Sequence, residues 1–120
     1  MEYALMIYAD ERQAPNATPE ETEAGMDLWW KYEAWLAETG IKVTGEALHD
    51  TSQATTVRMK DGAAITTDGP FAETKEQLGG FYVIDVANLD EALEAAKKCP
   101  AAFWGSIEVR PIQKFEGPAQ

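Results

Sequence analysis

The sequence contains one cysteine, Cys99, and one histidine, His49, among its 120 residues. A single cysteine cannot form an intrachain disulfide, and this composition suits a reducing cytoplasm, so we expect a cytoplasmic protein. With so few soft ligands, a zinc site built from cysteines or paired histidines is not expected. No glycine-rich phosphate-binding loop and no G-x-S-x-G nucleophile motif occurs either. We therefore predict no metal and no cofactor.

Basic residues are also scarce. Ten Lys and Arg residues stand against 21 Asp and Glu residues, which leaves a formal net charge of -11. Phosphate backbones repel such a surface, so direct binding to nucleic acid is not expected. No apolar run approaches the length of a membrane span, and the apolar start of the chain lacks the basic region of a signal peptide, so we expect no membrane association.

The first half of the chain predicts a strand over residues 3–9, a helix over 19–39 and a strand over 41–48. Thr18 and Glu21 form a capping-box pattern, Pro19 suits the first helical position, and Gly40 is the predicted stop. The apolar stripe of this helix is Leu28, Trp29, Tyr32, Trp35 and Leu36. In the second strand, Gly45 is a candidate bulge.

The second half predicts a hairpin, residues 54–59 and 63–67, around an Asp61-Gly62 turn. A strand over 81–86, a helix over 89–98 and a strand over 106–112 follow. Asn88 and Glu91 form a second capping pattern, and the expected stripe of that helix is Leu89, Ala92, Leu93 and Ala96. This order predicts an α+β fold of the ferredoxin-like, split βαβ type, with an antiparallel sheet and two helices on one face.

Several predicted strands are apolar on both faces, although two helices can cover only one face of the sheet. A second copy of the chain would cover the other, so we predict a homodimer. Trp30 points away from the apolar stripe of its helix, which indicates either a contact outside the monomer core or a lone exposed tryptophan.

The most informative segment runs from Thr67 to Phe81. It reads as a fifteen-residue connection between two strands, and long ordered loops tend to be functional. Phe71 is expected to pin this loop to the core. Three carboxylates and one ammonium lie close together in sequence and could hold a proton, a cation or an amine, or could form a solvated surface loop with a weak ion pair. These residues are Asp68, Glu73, Lys75 and Glu76.

Asp68-Gly69-Pro70-Phe71 and the ten residues that follow resemble the signature of the DGPF-type branch of the YCII-related proteins. Further matching segments at 4–8, 54–58, 91–93 and 105–111 extend the resemblance over nearly the whole chain. We therefore expect a single domain over residues 1–115 and a tail over 116–120. The resemblance implies a dimeric α+β barrel of ferredoxin-like subunits.

The resemblance implies two functions of different classes. One is a small-molecule-binding protein or a small lyase- or isomerase-like enzyme, with Asp68 as general acid/base, His49 as its partner, and a binding cleft at Gly69, Pro70, Phe71, Glu73, Lys75 and Glu76. Alternatively, His49 is an exposed turn histidine beside Asp50. The second function is a regulatory, non-catalytic partner of an extracytoplasmic-function sigma factor. Nine acidic and two basic residues among the first 40 favour a basic protein partner, although simple solubility also explains them.

Overall fold

In the part of the chain that the structure describes, six strands and two α-helices form the framework. The computed structural model describes residues 1–13 and 16–117. The elements are β1 (Glu2–Ala9), α1 (Pro19–Thr39), β2 (Lys42–Ala47), β3 (Thr55–Lys60), β4 (Ala63–Asp68), β5 (Gln77–Asp85), α2 (Leu89–Lys98) and β6 (Ser106–Pro111). Single 3₁₀ turns lie at Thr51–Gln53 and Pro100–Phe103. Part of the predicted tail, residues 118–120, lies outside the described residues.

Four strands form the central sheet in the order β2-β5-β1-β6, and every neighbouring pair is antiparallel. The β1–α1–β2 and β5–α2–β6 units are thus interleaved, which is the ferredoxin-like arrangement. The predicted fold class is confirmed. The amino-terminal strand β1 lies inside the sheet, with Leu5 between Tyr82 of β5 and Val109 of β6.

Both helices begin where the sequence predicts. At the start of α1, the Thr18 hydroxyl accepts a hydrogen bond from the Glu21 N–H at 3.1 Å, and the Glu21 carboxylate accepts from the Thr18 N–H. The helix ends at Gly40, whose φ of 70° suits glycine because it lacks a Cβ. The Asn88 side chain caps α2 in the same way, accepting from the Glu91 N–H at 3.0 Å.

The core lies between one face of the central sheet and the two helices. Its fully buried side chains include Leu5, Leu36, Ile84 and Cys99. The predicted stripes are correct for Tyr32, Leu36, Ala92 and Ala96 but wrong for Leu28, Leu89 and Leu93, which are exposed. In α2, alanines at i, i+3 and i+4 face the sheet, because small side chains let the helix lie close.

The opposite face of the central sheet carries an apolar strip. Ala4 and Met6 of β1 lie beside Val83 and Phe81 of β5, and all four are half-buried. Buried core residues and helices lie on the other side of these strands, and no helix of the described residues covers this strip. We call these four residues the open face of the sheet. Among the described residues, no helix combines the length and apolar character needed to cross a membrane.

The hairpin β3–β4 is a two-stranded sheet of its own. Asp61 (φ 52°) and Gly62 (φ 79°) form the predicted two-residue turn, since both adopt left-handed backbone conformations. Because β4 runs to Asp68 and β5 begins at Gln77, the connection between them is residues 69–76. The predicted fifteen-residue loop is therefore wrong, since its two ends are strand.

Gly45 is not the bulge that the sequence suggested. The register of β2 with β5 shifts between Lys42 and Thr44 instead. Gly45 lies against the ring of Tyr82, and a Cβ at this position would lie 2.5 Å from the Tyr82 Cδ1. Glycine is therefore required here by the close approach of an aromatic ring.

Candidate functional site

A cleft of about 450 Å³ lies between α1 and one end of the central sheet. Met26 and Trp29 of α1 form one wall, and Trp104 contributes from the segment before β6. The sheet contributes Ile7 and Tyr82, together with the glycines at 45, 79 and 80. Gly45 and Gly80 allow β2 and β5 to pack closely at this wall, since a Cβ at Gly45 would lie 2.5 Å from the Tyr82 ring and a Cβ at Gly80 would lie 2.8 Å from the Glu46 carbonyl oxygen.

Two acidic residues, Glu33 and Glu46, line this largely apolar cleft, and Glu33 accepts two side-chain hydrogen bonds. The hydroxyl of Tyr82 donates a hydrogen bond to Glu33 Oε1 at 2.6 Å, and Lys42 Nζ donates to Glu33 Oε2 at 3.1 Å. The same Nζ lies 5.4 Å from the centroid of the Tyr82 ring, within cation–π range. We call Glu33, Lys42 and Tyr82 the carboxylate network.

The network keeps Glu33 ionised. Partial burial raises the pKa of Glu33, but the hydrogen bonds from Tyr82 and Lys42 outweigh burial, so the pKa lies below its ordinary value. Burial raises the pKa of Tyr82 well above its ordinary value, and the neighbouring Glu33 carboxylate raises it further. Tyr82 therefore stays a protonated donor while Glu33 stays a negatively charged acceptor.

Asp68 and Gly69 form the base of the hairpin. Asp68 ends β4 opposite Thr55, and the Gly69 N–H donates to the Ala54 carbonyl at 2.7 Å. The Thr56 hydroxyl donates to the Gly69 carbonyl at 2.8 Å. Gly69 has a φ of 102°, a conformation that requires glycine. The Asp-Gly pair therefore has a clear role in shaping the backbone.

Gly69 and Pro70 line a second, more open cleft of about 430 Å³, together with Glu11, Arg12, Asp50, Thr51 and Ser52. Several of its polar groups are already paired. The hydrogen bond from Arg12 is the main cause of a pKa of about 2 at Asp10. Hydrogen bonds from Ser52 lower the pKa of Asp50. Five of the seven residues that line this open cleft are polar or charged, whereas the cleft at α1 is largely apolar.

The other predicted site residues do not converge on either cleft. Phe71, Glu73 and Lys75 are exposed, and Glu76 is half-buried and accepts a hydrogen bond from the Ser106 hydroxyl at 2.7 Å. Phe71 is 75% exposed, so the prediction that it pins the loop to the core is wrong. The short 69–76 connection leaves its ring in solvent.

Asp68 and His49 are both exposed, and neither lines either of the two clefts. His49 follows β2 and directly precedes Asp50, whose side chain caps the 3₁₀ turn Thr51–Gln53. Their acid/base pairing stays a prediction. Within residues 1–13 and 16–117, no group of three or more His, Cys, Asp and Glu side chains is placed to hold a metal ion.

Cys99 is fully buried, and burial raises the pKa of its thiol to about 11. The thiol is therefore expected to be unreactive in the folded protein, because only the thiolate is a nucleophile.

The sequence analysis missed Glu33, Tyr82 and Lys42. They are brought together by the pairing of β2 with β5 and by the packing of α1 on the sheet. The one available signal was Gly45, a glycine inside a strand pattern, which marks a position where another group approaches closely.

Comparison with known proteins identifies the family to which this chain is similar. The YCII-related domain matches residues 1–116. An uncharacterized protein of Rhizobium meliloti (strain 1021) is 42% identical over 118 residues, which cover 97% of this chain and 95% of that protein. The similarity extends over both clefts, the hairpin and all the elements of the central sheet.

Proposed function

We propose, from the premise that this chain belongs to the YCII-related domain family, that it binds a small molecule in the cleft between α1 and the central sheet. The observation that carries this proposal is the carboxylate network, whose Glu33 and Tyr82 line that cleft. Natural ligand sites combine apolar walls with a few well-placed polar groups, and they commonly enclose 300–1,000 Å³. The cleft, at about 450 Å³, falls within this range.

The chemistry of the cleft indicates the class of ligand. Trp29, Trp104 and Met26 offer flat and adaptable apolar surface, which suits a planar ring. Glu33 offers a hydrogen-bond acceptor of negative charge beside that surface. We therefore propose a ligand with an aromatic or alicyclic body and a hydrogen-bond donor or a cationic group.

Binding is supported more strongly than catalysis at this cleft. A carboxylate whose pKa is lowered is a weaker base, whereas general bases work best with a pKa near the working pH. A lyase- or isomerase-like reaction, with Asp68 and His49 as acid/base pair, is the catalytic form of the proposal. It would use the second cleft, which is lined by Gly69 and Asp50, the residues next to Asp68 and His49 in the sequence.

A regulatory role is the second candidate, and the surface of α1 supports it. Glu20, Glu21, Glu23 and Asp27 are exposed there, and Trp30 is 65% exposed. An acidic helix with a central aromatic suits a basic protein partner, because opposite charge steers association and tryptophan is a common anchor. An extracytoplasmic-function sigma factor is the partner we propose for this role. A pull-down tests this role, because the wild type should capture the sigma factor and Trp30→Ala should lose that capture.

A thermal-shift screen with small ring compounds tests the binding proposal. Ligands that raise the melting temperature of the wild type should lose their effect in Glu33→Gln and keep it in Glu38→Gln, a matched exposed position on α1. Arg12→Gln, at a residue that lines the second cleft, distinguishes the two clefts. If the effect is lost in Arg12→Gln and kept in Glu33→Gln, the ligand site lies at the second cleft and the proposal fails. Equal shifts in all three variants would also contradict it.

A further inference from the structure

A third cavity, of about 260 Å³, lies between α1, the end of α2 and the 3₁₀ turn Pro100–Phe103. We call it the helix groove. Besides the first residue of that turn, the side chains that line it come from both helices and from the end of the turn: Leu28, Lys31, Tyr32, Trp35, Lys98 and Phe103. The groove therefore combines aromatic and aliphatic side chains with two lysines.

Aromatic rings supply much of the surface of the helix groove. The ring of Tyr32 is buried and stacks with that of Trp35, with the two centroids 5.9 Å apart and an angle of 21° between the planes. Leu28 and Phe103 also line the groove, and they are 45% and 80% exposed. Leu28 fits the apolar stripe of α1, but it faces this groove rather than the core. Exposed aromatic surface of this kind suits a planar ring.

Two lysines make the helix groove positive in an acidic protein. The net charge of the chain is -11, yet no acidic residue of the described chain lines this groove. The Lys98 Nζ lies 5.4 Å from the centroid of the Trp35 ring, within cation–π range. Within residues 1–13 and 16–117, neither Lys31 nor Lys98 forms an ion pair with a carboxylate. Both ammonium groups can therefore pair with an anion from solution.

The helix groove and the cleft between α1 and the sheet are separate sites of opposite character. They share no lining residue: Phe103 lines the groove, whereas the next residue, Trp104, lines the cleft. The cleft presents the Glu33 carboxylate, which favours a hydrogen-bond donor or a cation. The groove presents two ammonium groups beside aromatic surface, which favours an anion.

We infer that the helix groove binds a small aromatic anion, a single ring that carries a carboxylate. The ring packs against Trp35 and Phe103, and the carboxylate accepts charge-assisted hydrogen bonds from Lys31 and Lys98. The volume sets the size of the ligand, because about 260 Å³ lies below the range of about 300–1,000 Å³ for drug-sized ligands and suits one ring. This site is additional to the one proposed at the α1 cleft and takes a ligand of the opposite charge.

Three phenyl compounds, followed by ¹⁹F NMR, test the inference. Incorporation of 5-fluorotryptophan gives one signal for each of the four tryptophans, and single Trp→Phe variants assign them. Trp35 then reports on the helix groove and Trp104 on the cleft. Phenylacetate, phenylacetamide and phenethylamine carry the same ring with a negative, neutral or positive group. Phenylacetate should shift the Trp35 signal with a Kd about 10-fold below that of phenylacetamide, because two lysines each add a few-fold.

The other signals and compounds can overturn the inference. Phenethylamine should leave the Trp35 signal in place, since the lysines repel its ammonium group. If phenylacetate shifts the Trp104 signal and not the Trp35 signal, the anion binds in the cleft and the inference fails. Equal affinities of the three compounds at Trp35 would show that the ring alone is recognised, which would also overturn it.

Two adjacent lysines of α2 provide matched variants. Lys98→Gln and Lys97→Gln each remove one positive charge, but Lys97 pairs with Glu94 at 3.2 Å and does not line the groove. Lys98→Gln should raise the Kd of phenylacetate about 3–5-fold, and Lys97→Gln should leave it within about 1.5-fold of the wild type. Glu33→Gln should also leave this Kd unchanged, so the result is independent of the ligand proposed for the cleft. Equal effects of the two lysine substitutions would overturn the inference.

Discussion

Removing the Tyr82 hydroxyl tests the carboxylate network directly. In Tyr82→Phe, Glu33 loses the 2.6 Å hydrogen bond and keeps only the one from Lys42. Hydrogen bonds to charged groups contribute about 1.5–3 kcal/mol. The Glu33 side chain is about one-third exposed, so solvent screening reduces this contribution. We expect the variant to lose about 1–2 kcal/mol of unfolding free energy at pH 7.

The unfolding free energy lost in Tyr82→Phe should be smaller in acid than at neutral pH. The network lowers the pKa of Glu33, so its contribution to stability is complete above the ordinary value near 4.5 and is lost as the pH falls through the lowered folded-state pKa. The difference between wild type and Tyr82→Phe should therefore shrink in acid. Urea denaturation at pH 7 and about pH 3, at one fixed protein concentration, measures both differences.

Tyr32→Phe is the matched control for this experiment. The Tyr32 hydroxyl donates to a neutral acceptor, the Ala95 carbonyl, at 2.8 Å in the core. Removing this hydroxyl should lower the free energy of unfolding by about 1 kcal/mol, and by the same amount at both pH values. If the loss in Tyr82→Phe is equally insensitive to pH, or if both variants follow the same pH profile, then an ionised Glu33 is not the acceptor and the reasoning fails.

Two further predictions concern packing and thiol chemistry. Gly105→Ala should lower the free energy of unfolding in urea by about 3 kcal/mol, since its Cβ would clash with the Tyr8 carbonyl oxygen. Gly25→Ala, with open space around it in α1, should raise the free energy of unfolding by about 0.5–1 kcal/mol. Equal effects of the two substitutions would contradict the clash. Cys99 should react with a disulfide reagent at pH 8 only when urea unfolds the chain, because it is buried and its pKa is about 11. Rapid labelling of the native protein would refute its burial.

Features fixed by a few neighbouring residues could be predicted from the sequence. The cap at Thr18 and the stop at Gly40 depend on residues within one helical turn. The turn at Asp61 and Gly62 needs only two left-handed residues in succession. Features set by how elements pack could not be predicted in this way. Leu93 fits the expected stripe of α2, but the close approach of the alanine face leaves it exposed.

The candidate cleft depends more than the helix caps and the hairpin turn do on contacts between residues far apart in the sequence. Glu33 is on α1, Lys42 is on the edge strand β2, and Tyr82 is on β5. Periodicity places each residue on a face of its own element, but the pairing of β2 with β5 decides that the three side chains meet. The Asp68–Gly69 segment is conspicuous in the sequence, and its most visible structural role is to shape the backbone at the base of the hairpin.

The position of β1 in the sheet has a consequence for biosynthesis. This strand is made first, yet its two neighbours are β5 and β6, which end at residues 85 and 111. At translation rates of about 5–20 residues per second, β1 waits on the order of 5–20 seconds before both neighbours exist. During that interval its apolar residues have no strand to pair with. We therefore expect pauses in translation before residue 106 to increase aggregation of the nascent chain.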